Sequence, residues 1–165
     1  MSQADTIKFA QSNVALGPAP ISKDWVIEGS PTARIRQIFR SVDGESETFI
    51  WDCTAGKFNW YYSVDETVYV IEGSVIVEDE AGVAHELTAG STMFFPKGSA
   101  AKWHVPKYIR KVAFCRTPLT AKMQAARSLY RQLKRLVGKG ASRSEAEAMF
   151  QVAPAADNTE TQRGG

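Results

Sequence analysis

Cysteine and histidine are both scarce in this sequence, with two of each in 165 residues. Cys53 and Cys115 lie far apart in apolar runs, which is typical of buried reduced thiols and excludes the dense disulfide framework of a small secreted protein. A lone histidine is seldom a metal ligand without partners, so we interpret His85 and His104 as surface residues. The cysteine usage favours a cytoplasmic protein.

Long apolar runs are absent as well. No window approaches ~18 consecutive apolar residues, so the sequence predicts no membrane-spanning helix. Residues 1–20 lack the charged start and unbroken apolar block of a signal peptide, so we expect no export. A glycine-rich phosphate loop is also missing, because Gly138-Lys139-Gly140 does not follow a predicted strand.

The net charge is small but unevenly distributed along the chain. The formal charge is +2, yet residues 1–117 carry 12 Lys and Arg against 14 Asp and Glu, whereas residues 118–165 carry 8 against 4. The basic character therefore belongs to the C-terminal segment.

The chain length fits one domain with appendages. Gly17-Pro18-Ala19-Pro20 interrupts regular structure and bounds an N-terminal arm, which we expect to be flexible and able to add to a sheet edge. Between residues 23 and 117 short apolar segments alternate with turn residues, and Pro118 ends that pattern. The predicted organisation is an arm (1–22), a β domain (23–117), a helical extension (118–150) and a disordered tail (151–165).

The apolar segments of the β domain are rich in β-branched and aromatic residues, which favours strands. The strongest are 25–28, 35–39, 49–53, 67–71, 74–78, 83–87, 92–95, 101–105 and 109–115. We predict turns at Gly56, at Gly73 and over residues 79–82, where glycine accepts a positive φ. Short strands divided by frequent turns are typical of an all-β sandwich or small barrel.

An amphipathic helix is predicted after Pro118. Its apolar positions recur at spacings of four and three, at Leu119, Met123, Ala126, Tyr130, Leu133 and Val137. Its other face is basic, with Lys122, Arg127, Arg131, Lys134, Arg135 and Lys139. Three interpretations stay open: the apolar stripe packs on the barrel or a partner subunit, the helix docks on an anionic membrane surface, or the basic face contacts nucleic acid.

Two motifs in the β domain resemble those of the cupin superfamily. Residues 56–73, GKFNWYYSVDETVYVIEG, match the glutamate and final glycine of the first cupin motif at Glu66 and Gly73. Residues 90–98 match the Gly, Pro-x-Gly pattern of the second motif. The amino-acid sequence of the two motifs is most similar to that of ureidoglycine-aminohydrolase-type cupin domains. The resemblance implies a double-stranded β-helix, the cupin jelly-roll barrel, followed here by the C-terminal helical extension.

The resemblance also indicates where a metal would be held. Cupins bind their metal with two histidines and a glutamate from the first motif and a histidine from the second, and these positions are Trp60, Tyr62, Glu66 and Ala101 in this sequence. Tryptophan and alanine offer no ligand atom and a neutral tyrosine is a poor one. We therefore predict no metal cofactor, and whether the protein is an enzyme stays open.

The barrel interior is then expected to present Trp60, Tyr62, Trp103 and Glu66. One interpretation is a ligand site in which the rings stack and Glu66 orients a small amine- or ureide-like metabolite or acts as a catalytic proton donor. The other is that the rings fill the barrel and Glu66 is satisfied internally. Because a buried carboxylate is costly without a partner, Lys97 and Lys111 are candidate partners. Their distance from Glu66 does not follow from the sequence.

Two hypotheses of function result. The first is a cupin that binds or acts on a small molecule at a degenerate metal site. The second is a structural or regulatory cupin that presents its basic C-terminal helix to a partner. The resemblance further implies a homodimer, for which Tyr69 and Ile71 on the opposite face of the central strand are candidate contacts.

Overall fold

A computed structural model of the chain describes residues 7–117 together with 123, 125, 126 and 128–130. The second group is α-helical, and its residues 123, 129 and 130 expose more than half of their surface. The predicted tail (151–165) and the greater part of the predicted helical extension (118–150) lie outside the described residues.

Eight strands and one short 3-10 turn make up residues 17–116. The turn is Lys23–Trp25. The strands are β1 (Gly17–Pro18), β2 (Val26–Gly29), β3 (Ala33–Arg40), β4 (Ser46–Tyr61), β5 (Asp65–Glu78), β6 (Ala84–Thr88), β7 (Thr92–Phe95) and β8 (Ala100–Arg116). All their pairings are antiparallel, which confirms the predicted all-β class and is consistent with a jelly roll.

The sheet order is β1-β3-β4-β8-β5-β6, with β2 joined to β4 and β7 joined to β5. The long strands β4, β8 and β5 thus form its centre. Because strand side chains alternate between faces, every second residue of these strands points to a shared interior. The core that results combines Trp51 and Phe58 of β4, Val68 and Val70 of β5, and Trp103 of β8.

The predicted turns at Gly56 and Gly73 are wrong, because both glycines lie inside long strands. Each sits beside a register shift, between Thr54 and Gly56 in the β4–β8 pairing and after Gly73 in the β5–β8 pairing. Such a bulge bends a strand without ending it. Strands β5 and β8 therefore each merge two of the shorter predicted segments. The turn at 79–82 is confirmed.

The described part of the N-terminal arm contacts the sheet. Gly17–Pro18 pairs with β3, as an arm that adds to a sheet edge would. The Arg110 side chain donates to the carbonyl oxygens of Ser12 and Val14 at 2.7 and 3.1 Å. Arg110 also contacts the buried Asp52 carboxylate, which accepts hydrogen bonds from Arg34 and Tyr108 as well. This network lies on the outer face of β4 and β8.

Among the described residues, no helix has the length and hydrophobicity that crossing a bilayer requires.

Candidate functional site

A buried ion pair lies inside the sheet at the centre of the predicted site. The Lys111 ammonium donates to Glu66 Oε1 at 2.6 Å, and the two side chains are 4% and 10% exposed. Lys111 is one of the two candidate partners that the sequence offers. The other, Lys97, uses its backbone N–H to bind Asp65 Oδ1 at 2.9 Å.

The strand pattern explains how Lys111 reaches Glu66. On β8 the inward positions are Ile109, Lys111, Ala113 and Cys115, and Glu66 lies opposite Cys115. Lys111 therefore starts two inward positions away from Glu66. The intervening inward residue is alanine, which leaves space for a long side chain to run along the strand.

Two tryptophan rings surround the ammonium of Lys111. Its Nζ lies 4.7 Å from the centroid of the Trp103 ring and 5.0 Å from that of Trp51. Cation–π contacts contribute on the order of 2 kcal/mol when they are desolvated. The ammonium therefore has attractive electrostatic contacts with the carboxylate and with both rings.

Tyr62 and Trp103 form the neighbouring polar contact. The Trp103 Nε1–H donates to Tyr62 Oη at 3.0 Å, and the Tyr62 ring stacks on Phe95 with centroids 4.3 Å apart. Burial raises the pKa of Tyr62 well above its usual value, and the charge of Glu66 raises it further. The phenol therefore keeps its proton and remains a potential donor.

Trp60 lies away from the ion pair, at the half-buried end of the aromatic cluster. Its ring makes edge contacts with Trp51 at 5.9 Å, Phe58 at 6.1 Å and Trp25 at 5.6 Å. Of the four predicted site residues, the structure thus brings Tyr62, Trp103 and Glu66 together around Lys111. It connects Trp60 to them through Trp51.

Sequence reasoning misses the aromatic partners Trp51, Phe58 and Phe95. The available signal is alternation: Trp51 and Cys53 occupy inward positions of β4, and Phe58 and Trp60 resume the inward face after the bulge. The predicted strand 49–53 ends before that bulge. The sequence pattern therefore does not place Trp51 and Phe58 on the same face of one strand.

The polar groups of the site retain unused hydrogen-bonding capacity. An ammonium has three N–H donors and a carboxylate several acceptor positions. Within the described part of the chain, Lys111 has Glu66 Oε1 as its hydrogen-bond acceptor, and Glu66 Oε2 accepts no hydrogen bond. The Tyr62 hydroxyl accepts from Trp103 and donates to no described residue. The site can therefore still donate and accept.

The residues at the cupin metal positions do not fit a divalent metal. Trp60 and Ala101 lack ligand atoms, Tyr62 is a buried protonated phenol, and Glu66 is engaged by an ammonium. Within the described ranges, no group of three His, Cys, Asp or Glu side chains is placed to hold a metal ion.

The two thiols and the two histidines do not add reactive groups to the site. Burial raises the pKa of Cys53 and of Cys115 to about 12, and nearby carboxylates act in the same direction, so both are neutral thiols. His85 lies on the exposed β5–β6 hairpin, where it contacts Asp79 at 3.1 Å. His104 is an outward residue of β8, between the buried Trp103 and Val105.

Comparison with known proteins agrees with this fold. Residues 40–113 match the family model of the EutQ-like cupin domain. None of the curated proteins compared with the chain matches it.

Three solved structures are similar in fold. A protein of unknown function from Pseudomonas syringae is 24% identical, with a TM-score of 0.59 over 64% of this chain and 46% of its own. A cupin-like protein from Thermotoga maritima is 11% identical, with a TM-score of 0.51 over 63% and 80%. The polyketide cyclase RemF from Streptomyces resistomycificus is 16% identical, with a TM-score of 0.50 over 68% and 80%. The chain spans less than half of the Pseudomonas protein. Together with the antiparallel sheet, the matching segment identifies residues 40–113 as a cupin domain.

Proposed function

We propose that the barrel binds a small neutral metabolite that carries a carbonyl oxygen beside an N–H group, as an amide or a ureide does. The observation that carries the proposal is the buried Lys111–Glu66 pair with its unused donors and acceptors. Lys111 and Tyr62 supply donors for the carbonyl oxygen. Glu66 Oε2 supplies an acceptor for the N–H.

A neutral ligand suits the charge balance of the site. The Lys111 ammonium already compensates the Glu66 carboxylate. A cationic amine would have to displace Lys111 or lie beside its positive charge, and repulsion at low dielectric is large. The flat face of an amide or ureide also suits contact with the aromatic rings of Trp51 and Trp103.

The resemblance to ureidoglycine-aminohydrolase-type cupins supports the ureide class. The proposal concerns binding. Hydrolysis of a ureide needs an activated water, and the side chains at the metal positions do not fit the ion that would supply one.

A ligand screen on the purified chain tests the proposal. Thermal melting and calorimetric titration would compare phenylurea, methylurea and acetamide with benzylamine, propylamine and acetate. We expect the ureides and amides to raise the melting temperature and the amines to have no effect. Stabilisation by amines alone would refute the neutral-ligand proposal, and so would a screen in which no ureide or amide binds.

Paired variants locate the binding. Glu66→Gln and Tyr62→Phe should each weaken ureide binding by about tenfold, because each removes one hydrogen-bonding group. The matched control is Glu78→Gln, since Glu78 also lies on β5 and also pairs with a β8 lysine, Lys102 at 2.7 Å, but on the surface. Equal effects at Glu66 and Glu78 would place the ligand elsewhere.

A second function is favoured by a separate observation. Leu129 and Tyr130, both helical, expose 58% and 64% of their surface. Exposed apolar helical residues can serve as a contact for another protein. In this function the cupin domain presents the helix to a protein partner. Co-purification that is lost in Leu129→Glu and retained in Glu66→Gln would favour it over metabolite binding.

A further inference from the structure

We infer that the Lys111 ammonium is the resident cation of this barrel and replaces the metal ion that the cupin motif would hold at Glu66. The inference does not depend on which metabolite binds. It concerns how the barrel neutralises the carboxylate that it keeps in its interior.

The geometry gives the ammonium the contacts that a bound cation would need. Its nitrogen lies 2.6 Å from Glu66 Oε1 and faces the rings of Trp103 and Trp51. The position is buried, since the Lys111 side chain is 4% exposed. Carboxylate and ring faces are the groups that bind ammonium ions in proteins.

Three titratable groups that neighbour the position carry no negative charge. These groups are Cys53 of β4, Cys115 of β8 and Tyr62, which directly follows β4. Burial keeps all three protonated at neutral pH. One carboxylate and one ammonium thus balance each other, and a divalent ion would bring an excess positive charge into the interior.

Covalent attachment favours lysine over a free ion. The side chain is already held beside Glu66 by β8, so the pair forms without the loss of translational freedom that a free cation would incur. The barrel therefore needs no external cation for its integrity.

Removing the lysine should open this position to a free ammonium ion. Lys111→Ala deletes three methylene groups and the amine, which together correspond to n-propylamine. The vacated space retains the Glu66 carboxylate and the Trp51 and Trp103 rings. We expect Lys111→Ala to melt at a lower temperature than the wild type, and n-propylammonium to raise that temperature by about 5 °C at saturating concentration.

Controls separate binding at this position from unspecific stabilisation. Propanol and propionate, which lack the positive charge, should not rescue Lys111→Ala. The double variant Glu66→Gln with Lys111→Ala should not respond to n-propylammonium. Lys102→Ala, which removes the surface lysine paired with Glu78 on the same two strands, should not respond either.

If Lys111→Ala does not fold alone, refolding from urea provides the measurement. Recovery of native protein with n-propylammonium, and not with propanol or propionate, is then the expected result. Failure of n-propylammonium to rescue either the melting temperature or the refolding would overturn the inference. It would leave ureide binding by the wild type unaffected.

The wild-type protein allows an independent test of whether the barrel holds a metal ion. Chelation followed by addition of Mn²⁺, Ni²⁺ or Zn²⁺ should leave its melting temperature unchanged, and purified untagged protein should contain no stoichiometric metal. A metal ion found at one per chain, or a melting temperature that falls on chelation, would contradict the role assigned to Lys111.

Discussion

The buried polar residues of the interior offset the free-energy cost of desolvation in two different ways. Glu66 and Lys111 form an ion pair at 2.6 Å, whereas Tyr62, whose pKa is raised by burial, stays neutral and shares a hydrogen bond with Trp103. An unpaired charge at this depth would cost several kcal/mol, while a hydrogen-bonded neutral phenol costs little. The interior therefore contains strong donors and acceptors without a net charge.

The protonation of the thiols predicts a pH dependence of stability. Burial raises the pKa of Cys53 and Cys115 from 9.0 to about 12. Between these values the unfolded thiols ionise and the folded ones do not, so ionisation favours the unfolded state. The contribution is fully present below pH 9 and is lost as pH rises from 9 toward 12. We expect the urea midpoint to fall over this window.

A cysteine-free variant isolates this effect from other titrations. In Cys53→Ala with Cys115→Ala, the midpoint should fall less steeply between about pH 9 and 11 than in the wild type. Tyr62, whose pKa is also raised, remains in both proteins and continues to contribute above its ordinary pKa of 10.0. Identical pH profiles would show that the two thiols ionise equally in the folded and unfolded chains.

At the scale of the strands, glycine-dependent bends allow β4 and β5 to pass through the sheet without a break. Gly73 has a φ of +74°, and a Cβ there would overlap the carbonyl oxygen of Tyr108 on β8. A Cβ at Gly56 would lie 2.8 Å from the Pro31 ring. Both positions therefore require glycine for space, and Gly73 requires it for backbone conformation as well.

Gly73→Ala tests this requirement. The substitution combines an unfavourable φ with overlap onto backbone, so we expect a loss of about 3 kcal/mol or more in the free energy of unfolding. Gly82→Ala is the matched control, because Gly82 has a φ of +78° and no atom lies within 4 Å of the position that a Cβ would take there. It should lose only about 1 kcal/mol. Urea denaturation measures both, and similar losses would mean that the contact with Tyr108 relaxes.

The strands also show which structural features the sequence pattern predicts and which it does not. Alternation correctly places Trp103 inward and His104 outward, and the Glu66–Gly73 spacing correctly indicates the cupin fold. The sequence pattern does not predict the bulges, because a glycine between two β segments gives the same signal whether it forms a turn or a bulge within one strand. The contact of Lys111 with Glu66 depends on the β5–β8 register and on the small Ala113, neither of which follows from local propensity.

At the scale of the whole molecule, the outer face of the central strands exposes aromatic residues. Phe94, Phe114 and Tyr69 are 57%, 50% and 47% exposed. Phe114 of β8 and Phe94 of β7 both lie opposite Thr67 of β5, in one row across the sheet. A shallow cavity of about 310 Å³ lies beside them, with Asp65, Glu47 and Arg116 on its border.

We propose a second copy of the chain as the occupant of this face. A two-fold contact brings the same patch of both copies together, so aromatic residues meet aromatic residues. It can also bring Arg116 of one copy toward Asp65 or Glu47 of the other, which makes the border self-complementary. Of the two contacts suggested by the sequence, Tyr69 lies on this exposed face and Ile71 is half-buried.

We therefore predict a homodimer that dissociates when Phe114 is charged. Phe114→Glu places a carboxylate in the centre of the aromatic row, so sedimentation velocity should show a monomer at concentrations where the wild type is a dimer. Val83→Glu is the control, because Val83 is 52% exposed on the β5–β6 hairpin, outside the aromatic row, and should leave the dimer intact. Since the ion pair lies on the inner face, Phe114→Glu should keep the ureide response of the wild type. A monomeric wild type, or a Phe114→Glu dimer as stable as the Val83→Glu dimer, would assign this face to another partner.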